Sequence, residues 1–425
     1  MDLPDYRRIP RLRAILLAGL HLCGPAYGQV TADTTGATGL GSVVNGMSDF
    51  EISGGLQPPN STNLFHSFRE FDLTSTQSAT FTGPASVQNI ISRVTGRDGA
   101  NNDGSNLDGR LGSDIPGANL WFFNPAGIAF GPNATLDVQG SFHVSTGDSV
   151  TLKGAARFDK DMSQQQILEL AAKPQAFGFL TEPEGFGFSM DNPEQVSIEG
   201  SVLSVSEPGE SNTLSIIGGD VAVAGGTPAG AQQRRGAELI ADDGRINIAS
   251  VSSPGDVRLT AEGIETSEGQ QLGFIDIRDS SFVDAVSGEQ PDEAATGGSL
   301  FVRGGKFVLD NSVISVSSIG SDPGEIDIRV DDLTVDNGAV IDANTLGDEG
   351  DFTDAHLITI AAANSVTVSN GGKITSDTNG GTDGGITRIE ANEISVADTR
   401  DPGEITGDEQ RSQISSSATA SGGGG

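Results

Sequence analysis

The second half of the chain repeats one pattern of short apolar segments, and this repeat restricts the fold more than any other feature of the sequence. Each unit has two segments of alternating apolar residues, whose starts lie seven or eight positions apart, and a shorter third segment. Successive units are offset by 26, 32 and 28 residues, and the differences fall in polar, glycine-rich loops. The paired segments begin at Leu300 and Phe307, Ile326 and Leu333, Ile358 and Val366, and Ile386 and Ile394, and the third segments lie near Ile314, Val340, Ile374 and Ile414.

A unit of three short strands at this spacing predicts one turn of a solenoid. Alternate residues of a strand, such as Ile326 and Ile328, point to the same side. One turn cannot bury that side alone, whereas stacked turns share a core in which each buried Ile or Val contributes roughly 1.5 to 3 kcal/mol. Longer loops cost under about 1 kcal/mol for each doubling in length. The sequence therefore predicts an all-β chain folded as a right-handed parallel β-helix with N-terminal capping strands.

The composition agrees with a fold of many turns and small core residues. Hydrophobic residues make up 35% of the chain and aromatic residues 5%, and the 59 glycines follow no collagen-like triplet period. Acidic residues outnumber basic ones by 58 to 24, which gives a formal net charge of -34. Such a charge repels phosphates, so nucleic acid and anionic membranes are excluded as expected partners.

Residues 1–28 have the pattern of a secretory signal peptide. Basic residues precede an apolar run that is too short to span a membrane, and small residues follow it. The residues are Arg7, Arg8, Arg11 and Arg13, then Ala14 to Cys23, then Ala26-Tyr27-Gly28. Cleavage after Gly28 would remove Cys23, the only cysteine, so the exported chain is expected to contain no disulfide.

The stretch from Gly117 to Asp148 alternates apolar with small or polar residues, and each short run ends at Gly, Pro or Asn. This pattern predicts strands joined by tight turns. In the segment from Asn124 to Ile128, Pro125 fixes φ and Gly127 accepts a positive φ, which predicts a turn between two strands.

These residues resemble the secretion domain of the filamentous haemagglutinin family, the exported partners of two-partner secretion systems. The family motif Asn-Pro-Asn-Gly-Ile corresponds to Asn124 to Ile128, with Ala126 in place of the second Asn. Further matches follow in order, and two lie upstream, so the resemblance covers roughly residues 36–150. They are Asp137-Val138, Gly140-Ser141-Phe142 and Ser145-Thr146, and upstream Asn63 to Phe68 and Asn89 to Gly96.

The resemblance implies export through the periplasm of a Gram-negative-type bacterium to the cell surface or the medium. Its partner would be an outer-membrane β-barrel transporter with periplasmic recognition domains. The residues implied in recognition or nucleation are Asn124, Pro125, Gly127, Ile128, Asn63, Phe65 and Phe68. Family members often act in adhesion, which makes a host or neighbouring-cell surface the expected target.

One segment departs from the strand pattern. Ser163 to Gln166 is a capping box, the apolar residues after it lie on one helical face, and Pro174 ends the run, which predicts a short helix near 162–173. The Phe/Gly-rich segment after it, and residues 97–113, are predicted to be loops.

The chain then divides into a signal peptide (1–28), a two-partner secretion domain (29–160), a helix with a Phe/Gly-rich insertion (161–195) and β-helix turns (196–425). Because Gly425 falls where a loop between turns is expected, we expect further turns beyond it.

Catalytic motifs are missing from the sequence: it contains no G-x-S-x-G, H-E-x-x-H or P-loop. His66 and His143 lie inside strand motifs and are expected to be packed. Some parallel β-helices cleave polysaccharides with clustered carboxylates, so Asp242-Asp243, Asp331-Asp332 and Asp276 keep a secreted lyase or hydrolase as the alternative. Adjacent residues of a strand face opposite ways, which favours turns for the two pairs. We expect no enzyme activity, cofactor or metal site.

Overall fold

The structure is a computed structural model. It describes residues 29–34, 38–96, 104–152, 156–171, 186–190, 194–206, 211–261, 263–285, 298–316, 324–346, 357–379, 385–398 and 411–419. The expected signal peptide lies outside the described residues.

The chain winds into a parallel β-helix in which successive turns form three parallel ladders around one core. The first ladder contains β4 (Asn63–Phe71), β6 (Asn89–Val94), β9 (Asn119–Phe123), β12 (Phe142–Ser145), β18 (Thr213–Gly218), β21 (Arg245–Ser250), the first halves of β26 (Ser299–Asp310), β28 (Glu325–Asp336) and β31 (Leu357–Ser369), and β33 (Ile386–Glu390).

The second ladder runs beside it and the third closes each turn. The second contains β7 (Ser105–Leu107), β10 (Ile128–Phe130), β16 (Val196–Glu199), β19 (Val221–Ala224), β24 (Phe274–Ile277), the second halves of β26, β28 and β31, and β34 (Glu393–Ala397). The third contains β3 (Asp49–Gly54), β5 (Ser78–Phe81), β8 (Arg110–Ser113), β11 (Thr135–Asp137), β17 (Val202–Ser204), β20 (Glu238–Ile240), β25 (Phe282–Asp284), β27 (Val313–Ser315), β29 (Val340–Asp342), β32 (Lys373–Asn379) with β30 (Thr345–Leu346) beside it, and β35 (Gln413–Thr419).

Two strands cap the N-terminal end by antiparallel pairing. They are β1 (Val30–Ala32), which pairs with β4, and β2 (Ser42–Asn45), which pairs with β3. The predicted parallel β-helix with N-terminal capping strands is therefore confirmed.

The repeat seen in the sequence produces columns of equivalent core residues. Leu300 stacks on Ile326, which in turn stacks on Ile358, and all three are buried. The second segments of each unit pair in the same way, as do the third segments. The two predicted segments of a unit form one long strand in β26, β28 and β31, which crosses from the first ladder to the second.

The corner between the second and third ladders repeats an asparagine with positive φ. The φ angles are 44° at Asn311, 55° at Asn337 and 50° at Asn370, a region that Asn tolerates better than most residues. Two of these side chains reach the preceding turn: Asn337 Nδ2 donates to the carboxylate of Asp310 at 3.0 Å, and Asn370 Nδ2 donates to Asp336 at 2.7 Å. The corner side chains therefore fix the stacking of adjacent turns.

The predicted helix is present as α1 (Gln164–Ala171), with the expected capping box. Ser163 N donates to Gln166 Oε1 at 2.9 Å, and Gln166 N donates to Ser163 Oγ at 3.3 Å. The loop predictions for residues 97–113 and for the Phe/Gly-rich segment were partly wrong. Residues 105–107 and 110–113 form β7 and β8, and residues 186–190 form β15 of the sheet described next. The ladders are held by backbone hydrogen bonds, so short polar segments can join them without an apolar pattern.

A five-stranded antiparallel sheet lies outside the β-helix, and we call it the cover sheet. It consists, in spatial order, of β14 (Ala156–Asp159), β13 (Ser149–Leu152), β15 (Phe186–Met190), β22 (Gly255–Thr260) and β23 (Gly263–Thr266). Its inner side packs on the outward residues of the first ladder. Phe158 contacts Phe65 with ring centroids 4.8 Å apart, and Phe188 contacts Trp121 at 5.7 Å. The sheet therefore buries a second hydrophobic cluster, which the sequence analysis did not predict.

An arginine from the first ladder holds each end of the cover sheet. Arg93 and Arg303 occupy equivalent outward positions, separated along the ladder by residues that include Phe123 and Ile217. Arg93 is fully buried, and burial lowers its pKa to about 10, so it remains charged at neutral pH. It donates to the carbonyls of Asp159, Thr38 and Met162 and to Ser67 Oγ, and its guanidinium lies 4.7 Å from the Phe158 ring centroid. At the other end, Arg303 Nε donates to the carbonyl of Ile264 at 3.0 Å.

Replacing Arg93 should loosen the cover sheet from the β-helix. Arg93→Met leaves several buried acceptors without a donor, so we expect the free energy of unfolding to fall by at least about 3 kcal/mol. The matched control is Arg157→Met, which removes the same charge from β14 of the cover sheet itself. Arg157 is 48% exposed and pairs with Asp256 at 2.8 Å, so its loss should cost under about 1 kcal/mol. Urea unfolding followed by the fluorescence of Trp121 measures both, and equal losses would contradict the role given to Arg93.

Candidate functional site

Asn124 lies in the turn that joins β9 to β10, as the sequence predicts, and its side chain is fully buried. Its Oδ1 accepts from the backbone N–H of Ala126 at 3.0 Å, and the N–H of Gly127 donates to the Asn124 carbonyl at 3.1 Å. Its Nδ2 donates to Ser105 Oγ in the preceding turn at 2.9 Å. Gly127 has φ of 106°, which requires glycine. The asparagine therefore closes its own turn and ties it to a neighbouring one.

The Asn63 segment forms a second polar array at the start of the first ladder. Asn63, Asn89 and Asn119 open three successive strands and stack in register. Asn89 Nδ2 donates to Asn63 Oδ1 at 3.0 Å, and Asn119 Nδ2 donates to Asn89 Oδ1 at 3.2 Å. Asn119 was missed by the sequence analysis. An asparagine before an apolar run, repeated at 26 and then 30 residues, was the signal that marks it.

The two phenylalanines of this segment point in opposite directions. Phe68 faces the core and contacts Phe71 edge to face at 5.0 Å, whereas Phe65 faces outward beneath the cover sheet. Both are fully buried.

The candidate residues do not converge on one surface. Asn63 stands at the beginning of the first-ladder strands, and Asn124 follows the end of β9. The five residue steps from Asn119 to Asn124 span about 17 Å in an extended strand. In the folded chain Asn63, Phe65, Phe68, Asn124 and Ile128 are buried, whereas Pro125 and Gly127 are partly exposed. A binding partner of the folded chain would therefore reach the edge of the turn but not the other side chains.

The two described histidines are packed rather than available for catalysis. Burial lowers the pKa of His66 to about 3, and its Nδ1 lies 3.1 Å from Ser42 Oγ. Burial, together with the charge of Arg245, also lowers the pKa of His143 to about 3. The His143 ring stacks on Trp121 at 3.8 Å, and its Nδ1 lies 2.9 Å from Ser215 Oγ. Both rings are therefore neutral in the folded chain.

The acidic residues considered for catalysis lie apart. Asp242 and Asp243 occupy the turn between β20 and β21, and Asp331 and Asp332 lie at the bend of β28. Burial raises the pKa of Asp276, which pairs with Arg278 at 2.6 Å. Within the described residues, no group of three or more His, Cys, Asp or Glu is placed to hold a metal ion, and no helix is long and apolar enough to cross a membrane.

The packed histidines predict loss of stability in acid. Below the ordinary histidine pKa of 6.5, the unfolded chain binds protons that the folded chain cannot accept until about pH 3. Each histidine should then lower the free energy of unfolding by about 1.4 kcal/mol for each pH unit below 6.5. His143→Gln keeps a partner for Ser215 but cannot titrate, so its stability should fall less steeply than that of the wild type. Urea unfolding at pH 7.5, 5.5 and 4.5 measures the slopes, and equal slopes would contradict this prediction.

Comparison with known proteins places the chain in a family. A family model described as the TPS secretion domain matches residues 28–300. No curated protein matches the chain in sequence. Solved structures with similarity include the HMW1 secretion domain from Haemophilus influenzae, at 14% identity and a TM-score of 0.46 over 88% of this chain and 96% of that one. The filamentous hemagglutinin secretion domain has 13% identity and a TM-score of 0.33 over 87% and 99%.

The family match covers more than half of the chain and ends next to Phe301, the last aromatic residue beneath the cover sheet. The matched range thus includes every strand of that sheet. This is a family of secretion domains and not of enzymes. The chain therefore belongs to the TPS secretion domain family, which makes it an exported protein of the two-partner secretion type.

Proposed function

We propose that a dedicated outer-membrane β-barrel transporter recognises the N-terminal region of this chain through its periplasmic domains, before that region folds. The observation that supports this most strongly is the burial of the family motifs. Asn63, Phe65, Phe68 and Asn124 present no side-chain surface in the folded chain, so a transporter can contact them only in the unfolded chain.

The same residues then act in folding. Asn124 links three turns, through Ser105, its own turn and the carbonyl of Ser145, which accepts from its backbone N–H at 3.0 Å. The array of Asn63, Asn89 and Asn119 fixes the register at the opposite end of the same strands. We propose that these contacts nucleate the first turns outside the cell, and that later turns stack on them as the chain emerges.

We propose that the sequence-based division at residue 160 does not separate folding units. Strand β13 begins at Ser149, but its sheet is completed by β22 and β23, which end at Thr266. The unit that folds together then spans residue 29 to about Arg303.

For the exported β-helix as a whole we propose adhesion to a host or neighbouring-cell surface. No described cluster of side chains favours the polysaccharide-cleaving alternative.

The decisive experiment is export of the full chain with and without a co-expressed candidate transporter. Recognition before folding predicts that the chain reaches the cell surface or medium only with the transporter and accumulates in the periplasm without it. Equal export in both cells would refute the two-partner mechanism for this chain. Cells whose transporter lacks its periplasmic domains should export as little of the chain as cells without the transporter.

Substitution of Asn124 separates recognition from folding. Asn124→Ala leaves Ser105 Oγ and the Ala126 N–H without a buried partner, so we expect a loss of about 1 to 3 kcal/mol in the free energy of unfolding. The control is Ala126→Asn, which restores the usual family residue at a partly exposed position and should be neutral in stability. Lost export with unchanged urea unfolding would assign Asn124 to recognition alone, and lost stability with normal export would assign it to folding alone. We expect both to decrease.

A further inference from the structure

Among the described residues, the cover sheet ends in an open edge at β23. This strand pairs with β22 on one side and is the last in the sheet. Backbone groups of an antiparallel strand point alternately to its two sides. The carbonyl of Gly263 accepts from Thr260 Oγ1, on the β22 side, at 3.3 Å, whereas the carbonyl of Ile264 accepts from Arg303 on the other side. Ile264 and Thr266 therefore direct their backbone groups to the open edge.

A groove of about 810 Å³ runs along this edge. Its wall is β23, and its floor is the outward side of the next turns of the β-helix. Small residues at Ala361, Ala362 and Ala363 keep the floor low, while Arg329 and Glu390 border it. The groove therefore has room for a strand beside β23, at the usual spacing of about 4.8 Å between paired strands.

The outward column of the first ladder becomes polar where the cover sheet stops. Phe301 is the last aromatic residue in its outward column, and the next two positions are Asp327 and Thr359. An added strand would rest half of its side chains on a floor in which the alanines lie beside the charged groups of Arg329 and Asp331, and would point the other half to solvent. An apolar strand would bury charged groups there, so the groove fits a polar or charged strand better.

Counted with their ion-pair partners, the groove residues carry four negative and three positive charges: Glu265, Asp327, Asp331 and Glu390 against Arg303, Arg329 and Arg388. Both arginines near its floor already pair with one carboxylate: Arg303 and Arg329 each lie 2.9 Å from Asp327. Glu265 on the wall and Asp331 on the floor are exposed, and neither forms an ion pair within the described residues. Together with the net charge of -34, this attracts a basic segment and repels an acidic one.

We propose that the folded chain binds an extended polypeptide segment rich in lysine or arginine by strand addition to β23. Main-chain hydrogen bonds to Ile264 and Thr266 provide the pairing, and Glu265 and Asp331 select for positive charge. Arg303 holds the edge in place before binding, which lowers the ordering cost. This surface belongs to the folded chain and does not depend on how the chain is exported.

The test uses the full chain and a fluorescein-labelled peptide of about nine residues in which lysine and valine alternate. Fluorescence anisotropy should show binding that the double variant Glu265→Lys/Asp331→Lys weakens by about ten-fold or more. The control is Glu51→Lys/Asp242→Lys, which changes the net charge equally at exposed carboxylates outside the groove and should change the affinity less than about two-fold. Equal weakening by the two variants would overturn the proposal.

The backbone contribution is measured separately. Hydrogen exchange of the segment containing Ile264 and Thr266 should slow when the peptide binds, and a peptide N-methylated at alternate residues should not bind. Unchanged exchange, or equal binding of a peptide with glutamate in place of lysine, would refute strand addition by a basic segment. Self-association of the chain that the lysine peptide does not reverse would assign the edge to a second copy and overturn the proposal as well.

Discussion

Dependence of each turn on its neighbours is the constraint from which the rest of this structure follows. A single turn leaves its backbone groups unpaired on both edges and its apolar side uncovered. Stacking satisfies both requirements at once, because the strand pairing that places Leu300 beside Ile326, and Ile326 beside Ile358, also stacks their side chains in the core. The loops between turns contribute little to this pairing, which is why their lengths vary while the strands remain in register.

The first ladder is buried in two different ways along the chain. Under the cover sheet it is buried on both sides, and Leu120, Trp121, Phe122 and Phe123 are all inaccessible to solvent. In later turns the inward side remains buried, whereas outward positions such as Arg329 and Thr359 are exposed or partly exposed. Parallel strands covered on both sides tend to be continuously apolar, whereas those covered on one side alternate. The change in pattern therefore marks where the cover sheet ends.

The parts of the fold that depend on short-range patterns were readable from the sequence. The alternation around Ile326 predicted the solenoid, Ser163 and Gln166 predicted the helix, and Asn124 with Gly127 predicted a turn. The cover sheet was not predictable, because its central pairing joins residues 186–190 to 255–259 and no local pattern specifies a partner so distant.

The candidate site was predictable in its residues but not in its surroundings. The motifs identified Asn63 and Asn124, and a polar residue in a turn is usually exposed. Here Asn124 is buried because its amide spans two turns and meets Ser105, which lies in a segment that the sequence indicated to be a loop. The role of Arg93 in holding the cover sheet was not predictable for a similar reason: its acceptors at Thr38 and Met162 are distant in sequence. Such contacts follow from the stacking of turns, which must be known before they can be found.

The pairing of β15 with β22 makes the cover sheet sensitive to how much chain has been delivered. Phe186 pairs with Leu259, and the six strands from β16 to β21, which make two turns of the β-helix, lie between these two residues in the chain. Until residue 259 appears, β15 has only β13 beside it. If a chain emerges gradually from its N-terminus, this sheet can close only after residue 259 has emerged. Closure therefore requires a fixed length of exported chain and does not depend on the sequence that follows.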